Sequence, residues 1–344
     1  MTMVLERSDV PELARGFSLL GSGGGGATTM LELMLARRDA WPIELQGVGE
    51  LDPATPCLGA AFAGSTILLN ERLPGEAPFD RLVDAVERYL GTPVDAVCSL
   101  EGGGMNGLTP LLLAGRRTVV DADLTGRAVP GLDQMSLLVD GVGGIVAAGE
   151  TGSGGVALVQ SDRPADLEQL MRAAIIQAGG SGAVVFGGFT VGDLAEHAIH
   201  GGTARALALG RAFERARFAP AAELAAALGG RALAEGRITA LEGDRRDPHV
   251  ASVELIAHDG AVHRLVARSE FLALVTDGRV ESAAPAVIVV LDAVSREVLE
   301  VTELDAGRTV CVLEVPAPAW WRPPHRAARI APSAYGLEGL DVVA

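Results

Sequence analysis

Gly21-Ser22-Gly23-Gly24-Gly25-Gly26 stands between the apolar run Phe17-Ser18-Leu19-Leu20 and the helix-patterned stretch Thr28-Thr29-Met30-Leu31-Glu32-Leu33-Met34-Leu35. Glycine gives up more conformational entropy on folding than any other residue, so such a run inside an ordered region marks a sharp bend or a close approach. A glycine turn that feeds a helix is also an anion site, because free N–H groups and the positive end of the helix dipole point the same way. Three readings compete. The spacing Gly21-x-Gly23-x-x-Gly26 fits the dinucleotide fingerprint, with Glu44, Glu50 or Asp52 as ribose partners, but a glycine run meets that pattern almost automatically. A bare strand-to-helix turn with no ligand is the second. The third, preferred here, is a backbone pocket at Gly23, Gly24, Gly25 and Gly26 for the polar part of a small substrate, with no nucleotide cofactor. A phosphate-binding P-loop is excluded, since the chain contains no lysine.

Outward from this run, strand and helix patterns alternate. A helix opens at Asp9-Val10-Pro11 and extends to about Arg15. Strands are expected at Pro42 to Val48, Leu58 to Ala63, Ile67 to Leu69, Pro93 to Leu100 and Arg117 to Val120. A helix with apolar residues at Leu82, Val83, Val86 and Leu90 falls between, and a short one at Leu108 to Ala114. This predicts an α/β fold with a largely parallel sheet. From Ser136 to Gln160 short strands alternate with glycines, and Ser161-Asp162-Arg163-Pro164 punctuates the chain. Further on come helices near Ala165 to Ala178 and Val191 to Leu228, then strand-like segments at Ile238 to Ala240, Ala251 to Ala257, Ala261 to Ala267, Ala286 to Leu291 and Thr309 to Val315. Two domains are predicted: residues 1–162, an α/β layer with glycine-rich loops, and residues 163–344, helices packed on mostly antiparallel β structure.

Composition narrows the function. A net charge of -16 disfavours a nucleic-acid partner, and the pairs Arg37-Arg38, Arg116-Arg117 and Arg245-Arg246 are too scattered to form a basic stripe. Three cysteines, Cys57, Cys98 and Cys311, show no metal-binding spacing. Together with a start that lacks export-signal character and the lack of a long apolar run, they lead to the expectation of a cytoplasmic chain without a membrane span.

Two further loops carry reactive side chains. Glu101-Gly102-Gly103-Gly104-Met105-Asn106 follows a buried strand with a carboxylate and an amide, suited either to one small polar molecule or to capping the next helix. Asp121-Ala122-Asp123 is expected in an acidic turn after another apolar strand and is followed by Arg127. Paired carboxylates at this spacing serve acid/base chemistry or metal binding, and the plain alternative is a turn with a surface ion pair. His197 and His200, on one face of the expected helix, are metal-ligand candidates, with a cap and a solvated ring as the alternative. His249, His258 and His263 show no pattern. Cys98 reads as buried packing, and Trp320-Trp321 as an anchor for the C-terminal segment.

Together the Gly21–Gly26 run, Glu101-Gly-Gly-Gly-Met-Asn106 and Val119-Val120-Asp121-Ala-Asp123-x-x-Gly126-Arg127-Ala-x-Pro130 resemble the S-methyl-thiohydantoin desulfurase family. The likeness continues through Ala283-Ala284-Pro285, Pro316-Ala-Pro-x-Trp320 and Tyr335-Gly336. Gly-Ser-Gly stands in the first loop where the family is associated with Gly-Thr-Gly, which keeps a hydroxyl. The resemblance implies hydrolytic removal of sulfur from a thiohydantoin-type ring. It also implies an association with hydantoinase/oxoprolinase proteins, so the alternative function is a non-catalytic accessory subunit of such an enzyme; a homo-oligomer is also an option. On that chemistry Gly23 to Gly26 would stabilise developing charge, and Glu101 or Asp121 would act as base. Asp123 would be its partner, Asn106 and Arg127 would orient the substrate, and a divalent metal held partly by His197 or His200 would be the other way to activate water.

Overall fold

Val10, Leu13, Ala14, Phe17 and Leu20 recur at helical spacing and are all buried, so the helix that Pro11 opens runs unbroken from Val10 to Leu20. The apolar run ahead of the glycines is therefore the last turn of a helix. The strand that a dinucleotide fingerprint needs is not formed there. A second correction of the same kind falls at Ile67-Leu68-Leu69, which lies in the helix Thr66–Glu71. The computed structural model describes residues 2–71, 74–243 and 250–342, with backbone alone at 70 and 71; Arg245-Arg246 and His249 lie outside the described residues.

Two sheets carry the fold. The first contains β1 (Met3–Leu5), β2 (Ile43–Gln46), β3 (Pro56–Gly64), β4 (Ala96–Ser99), β5 (Thr118–Asp123), β6 (Val146–Glu150), β7 (Val156–Gln160), β8 (Ser181–Thr190) and the short β9 (Ile199–His200). Their order is β1-β2-β5-β4-β3-β8-β6-β7, with β9 added beside β5. The central strands β2, β5, β4 and β3 are mutually parallel, as the alternation predicted, and every other pairing is antiparallel. β8 and β9 come from the second half of the sequence, and β8 pairs with β3 along most of its length. The second sheet, in the order β14-β13-β12-β11-β10-β16-β15, is antiparallel throughout. It comprises β10 (Arg231–Gly243), β11 (Val250–Ala257), β12 (Val262–Arg268), β13 (Glu270–Thr276), β14 (Arg279–Ala283), β15 (Val287–Asp292) and β16 (Thr309–Val315).

The helix predicted from Val191 to Leu228 is three helices, Val191–His197, Gly202–Ala216 and Ala221–Ala227. The first break comes where Ala198 turns extended, β9 forms, and Gly201 adopts a left-handed conformation. The helix Gly202–Ala216 packs on Val10–Leu20 and β5, and Ala221–Ala227 packs on β10 and β16. This places the second sheet beside the C-terminal edge of β4 and β5, where the polar loops leave the first sheet. No helix among the described residues is long and apolar enough to cross a membrane.

Candidate functional site

β4 and β5 lie side by side with Ser99 opposite Asp123, so the loops that leave them start at one point. Asp121 and Asp123 are inside β5 rather than in a turn after it, and with Glu101 they are buried. Each carboxylate is held. Glu101 accepts the Val129 N–H on Oε1 (2.9 Å) and the Asn106 Nδ2 amide on Oε2 (2.8 Å). Asn106 in turn clamps Phe62 on β3, accepting its N–H and donating to its carbonyl. Asp121 Oδ1 accepts the Thr203 N–H at 2.8 Å, at the start of the helix Gly202–Ala216, where the helix dipole favours a negative charge. Asp123 Oδ1 accepts the N–H groups of Thr125 and Gly126, while its Oδ2 is buried without a hydrogen-bond partner among the described residues.

The glycine run packs directly on this group. Met105 donates its N–H to the carbonyls of Gly25 and Gly26, and Ala128 donates to Leu20. On its other side the run is stitched to the second sheet and to the segment between β15 and β16: Phe271 donates its N–H to the Ser22 carbonyl (2.7 Å), Val301 of that segment to the Gly23 carbonyl (2.8 Å), and the Ser22 hydroxyl lies between the backbones of Phe271 and Ile288. A Cβ at Gly23 would sit 2.2 Å from the Phe271 ring, and one at Gly24 would sit 2.6 Å from Glu270 Oε1. What comes close to these glycines is the chain's own second sheet, and the hydroxyl of Gly-Ser-Gly is a clasp between the two sheets.

That contact brings in residues no sequence pattern marked. Glu270, at the start of β13, is buried, with Oε2 lacking a hydrogen-bond partner among the described residues. Arg127 lies buried between the two sheets. Its Nε donates to the Ala128 carbonyl (3.0 Å), and its Nη1 reaches across to the carbonyls of Pro285 (3.0 Å) and Ala286 (2.6 Å). It acts electrostatically on both Glu101 and Glu270. Arg205, on the helix Gly202–Ala216, does the same for Asp123.

Burial dominates the proton affinities of these side chains, since a carboxylate taken out of water favours its proton. It raises Glu270 to about 8, helped by the nearby charge of Glu101. Glu101 is raised to about 7 against the pull of its two hydrogen bonds, and Asp123 to about 6. Asp121 is also raised by burial. These groups form a layer in which Glu270 and Glu101 hold protons near neutral pH.

A cavity of about 530 Å³ opens beside this layer, lined from both halves of the chain: Pro130, Gly131, Asp133 and Gln134 after β5, Glu168 and Arg172 on the helix Pro164–Gln177, Arg268 and Ser269 before β13, and Ala328, Arg329, Ala334 and Tyr335 near the C-terminus. None of the Gly23 to Gly26 run, Glu101, Asp121 or Asp123 belongs to this lining. Glu101 adjoins it through Val129, next to Pro130, and Glu270 through Ser269. Trp321 secures the C-terminal wall, donating its indole N–H to the Thr125 carbonyl at 2.6 Å.

The two histidines are apart from the layer. His197 Nδ1 meets Asp140 at 3.0 Å, where Arg326 also binds, and His200 Nε2 meets the Leu194 carbonyl at 2.9 Å. With His197 ending a helix and His200 on β9, the shared helical face expected of them is not formed. Among the described residues no three His, Cys, Asp or Glu side chains are grouped to hold a metal. Cys98 is buried in β4, where the neighbouring Cys57 and burial push its thiol up and leave it unreactive.

The same architecture occurs in a crystal structure of a protein from Chromobacterium violaceum, which matches over 99% of this chain and 99% of its own with a TM-score of 0.82 at 22% sequence identity. No curated protein matches the chain. Two family models divide it between them and meet at the end of β7: one described as S-Me-THD-like, N-terminal domain, over residues 8–161, and one described as S-Me-THD-like, C-terminal domain, over residues 161–343. With both of its halves matched in order and nearly end to end, the chain belongs to the S-Me-THD-like family.

Proposed function

We propose that this chain is a hydrolytic desulfurase of a thiohydantoin or S-methyl-thiohydantoin ring, with the ring seated in the cavity beside the carboxylate layer. One observation carries the reading: in a chain of this family, carboxylates with proton affinities tuned to neutral pH are gathered at the strand edge where parallel sheets bind ligands. The chemistry asks for little more. Water forms a bond to the sulfur-bearing carbon and gives one proton to a carboxylate; the carbon–sulfur bond then breaks with its electron pair leaving on sulfur, the proton of the new hydroxyl passes to the sulfur of a thione, released as hydrosulfide, or to the ring nitrogen of an S-methyl ring, released as a thiolate, and a ring carbonyl remains. Glu101, raised to about 7, is the base we favour, with Glu270, raised to about 8 and adjacent to the cavity wall, as the protonated partner across Arg127 that relays a proton to the leaving side. A cavity of this size lies within the usual range for small-molecule sites.

A second reading has its own support. None of Glu101, Asp121, Asp123 and Glu270 belongs to the cavity lining, as expected of a chain that binds a cyclic amide for a hydantoinase/oxoprolinase-type partner and does no chemistry alone. The separating experiment is release of sulfide or thiol by the purified chain from a panel of thiohydantoins and S-methyl-thiohydantoins, with Glu270→Gln alongside. Turnover that drops about 10²- to 10⁴-fold in the variant supports the desulfurase. A folded chain that binds the rings and turns none over supports the accessory subunit.

A further inference from the structure

Tyr335 is the one phenol in the cavity wall, and its surroundings prepare it as a donor. Gln134, itself buried, donates its Nε2 amide to the Tyr335 oxygen at 2.7 Å and to the Arg329 carbonyl at 3.0 Å, which fixes both the amide and the phenol. The Arg268 guanidinium lies over the ring, 5.3 Å from its centre. With the oxygen already accepting from Gln134, the phenol's own proton has no hydrogen-bond acceptor among the described residues, and it belongs to a side chain lining a cavity of about 530 Å³.

We infer that Tyr335 donates a hydrogen bond to the heteroatom on the ring carbon that water attacks: sulfur in the substrate, oxygen in the hydantoin product. This rests on the proposed desulfurase reading and adds the donor that the reading lacks. As the water oxygen bonds to carbon, the π electrons of a ring thione move onto sulfur, and the phenol meets that charge. When the carbon–sulfur bond breaks, the sulfur leaves with the electron pair, a thione sulfur taking the hydroxyl proton with it, and the phenol keeps its own proton. Burial and the nearby charge of Glu270 both favour the protonated phenol, so the donor persists through the neutral range. Gln134 is a positioning residue for it.

The chain has two tyrosines, Tyr89 and Tyr335, so protein labelled with meta-fluorotyrosine gives two fluorine resonances, and Tyr335→Phe assigns them. The probe is hydantoin, the product of the proposed reaction, which carries no sulfur to release. Saturating hydantoin is expected to shift the Tyr335 resonance and leave Tyr89 in place; hydantoin that binds calorimetrically without moving the Tyr335 signal, or does not bind at all, overturns the inference. This arm stands even if the wild-type chain turns nothing over, an outcome that counts against the desulfurase reading alone. Where turnover is seen, Tyr335→Phe keeps the ring under Arg268 and is expected to lower kcat by about 10²- to 10³-fold with KM and melting temperature little changed. The loss should be larger for an S-methyl than for an S-aryl ring, whose thiolate needs less help. Equal losses for both leaving groups would make Tyr335 structural and refute the role.

Discussion

Replacing Glu270 by Gln removes the most perturbed carboxylate and tests whether the layer holds protons. In the fold Glu270 is raised from 4.5 to about 8, so between those values the folded chain keeps a proton that the unfolded chain has released. Where the native state binds more protons than the unfolded state, stability falls as pH rises. Each pH unit in that window is worth about 1.4 kcal/mol, which makes the loss from Glu270 at most about 5 kcal/mol between pH 4.5 and pH 8. The substitution has a cost of its own, because the new amide N–H₂ enters a buried position with no acceptor, about 1–3 kcal/mol that does not depend on pH. The informative quantity is therefore the slope. Equilibrium urea unfolding of both proteins from about pH 5 to about pH 8 should show wild type losing several kcal/mol more than Glu270→Gln across the interval. Parallel pH profiles would show that Glu270 is not a buried, proton-holding group.

Other substitutions probe the same layer. Arg127→Met removes the charge between Glu101 and Glu270 and the link to Pro285 and Ala286, and should cost about 3–5 kcal/mol in urea unfolding. Glu101→Gln is not silent despite its shape: one end of the amide must meet a donor, Val129 N–H or Asn106 Nδ2, so a loss of about 1–3 kcal/mol is expected in urea unfolding. Gly202→Ala places a Cβ 2.1 Å from Asp123 Oδ2, and should lower the melting temperature more than Gly201→Ala, which has open space around it but a strained backbone. Trp321→Phe should lower stability by about 1–3 kcal/mol and hasten proteolytic clipping of the C-terminal segment, whose indole anchor to Thr125 is gone.

The convergence of Glu101, Asp121 and Asp123 was legible because each ends or follows a buried strand of one parallel layer, and that arrangement brings strand ends to one edge. Glu270 was not. It opens β13, and β12 and β13 meet at Arg268-Ser269, where a serine with φ of 64° makes the turn without the glycine or proline that announces one. Its approach to Gly24 is long-range packing, which no local pattern encodes. Ser22 shows the same limit: the partners of its hydroxyl, Phe271 and Ile288, come from strands far along the chain. The helix Val10–Leu20 was legible only to its midpoint, since Phe17-Ser18-Leu19-Leu20 fits a short strand as well as a final helical turn. His197 and His200 have helical spacing in the sequence, but Ala198 and Gly201 end one helix and begin another between and after them.

In the proposed reaction, water replaces sulfur on the ring carbon inside the chain's own cavity. Turnover of a thiohydantoin by the purified protein in water labelled with heavy oxygen, followed by mass spectrometry of the ring product and assay of the sulfur released, tests this step by itself. One labelled oxygen is expected on the carbon that carried sulfur, with one sulfide or thiol released per ring. Sulfur release without label in the ring, or no release by folded protein across the panel, would rule the reaction out.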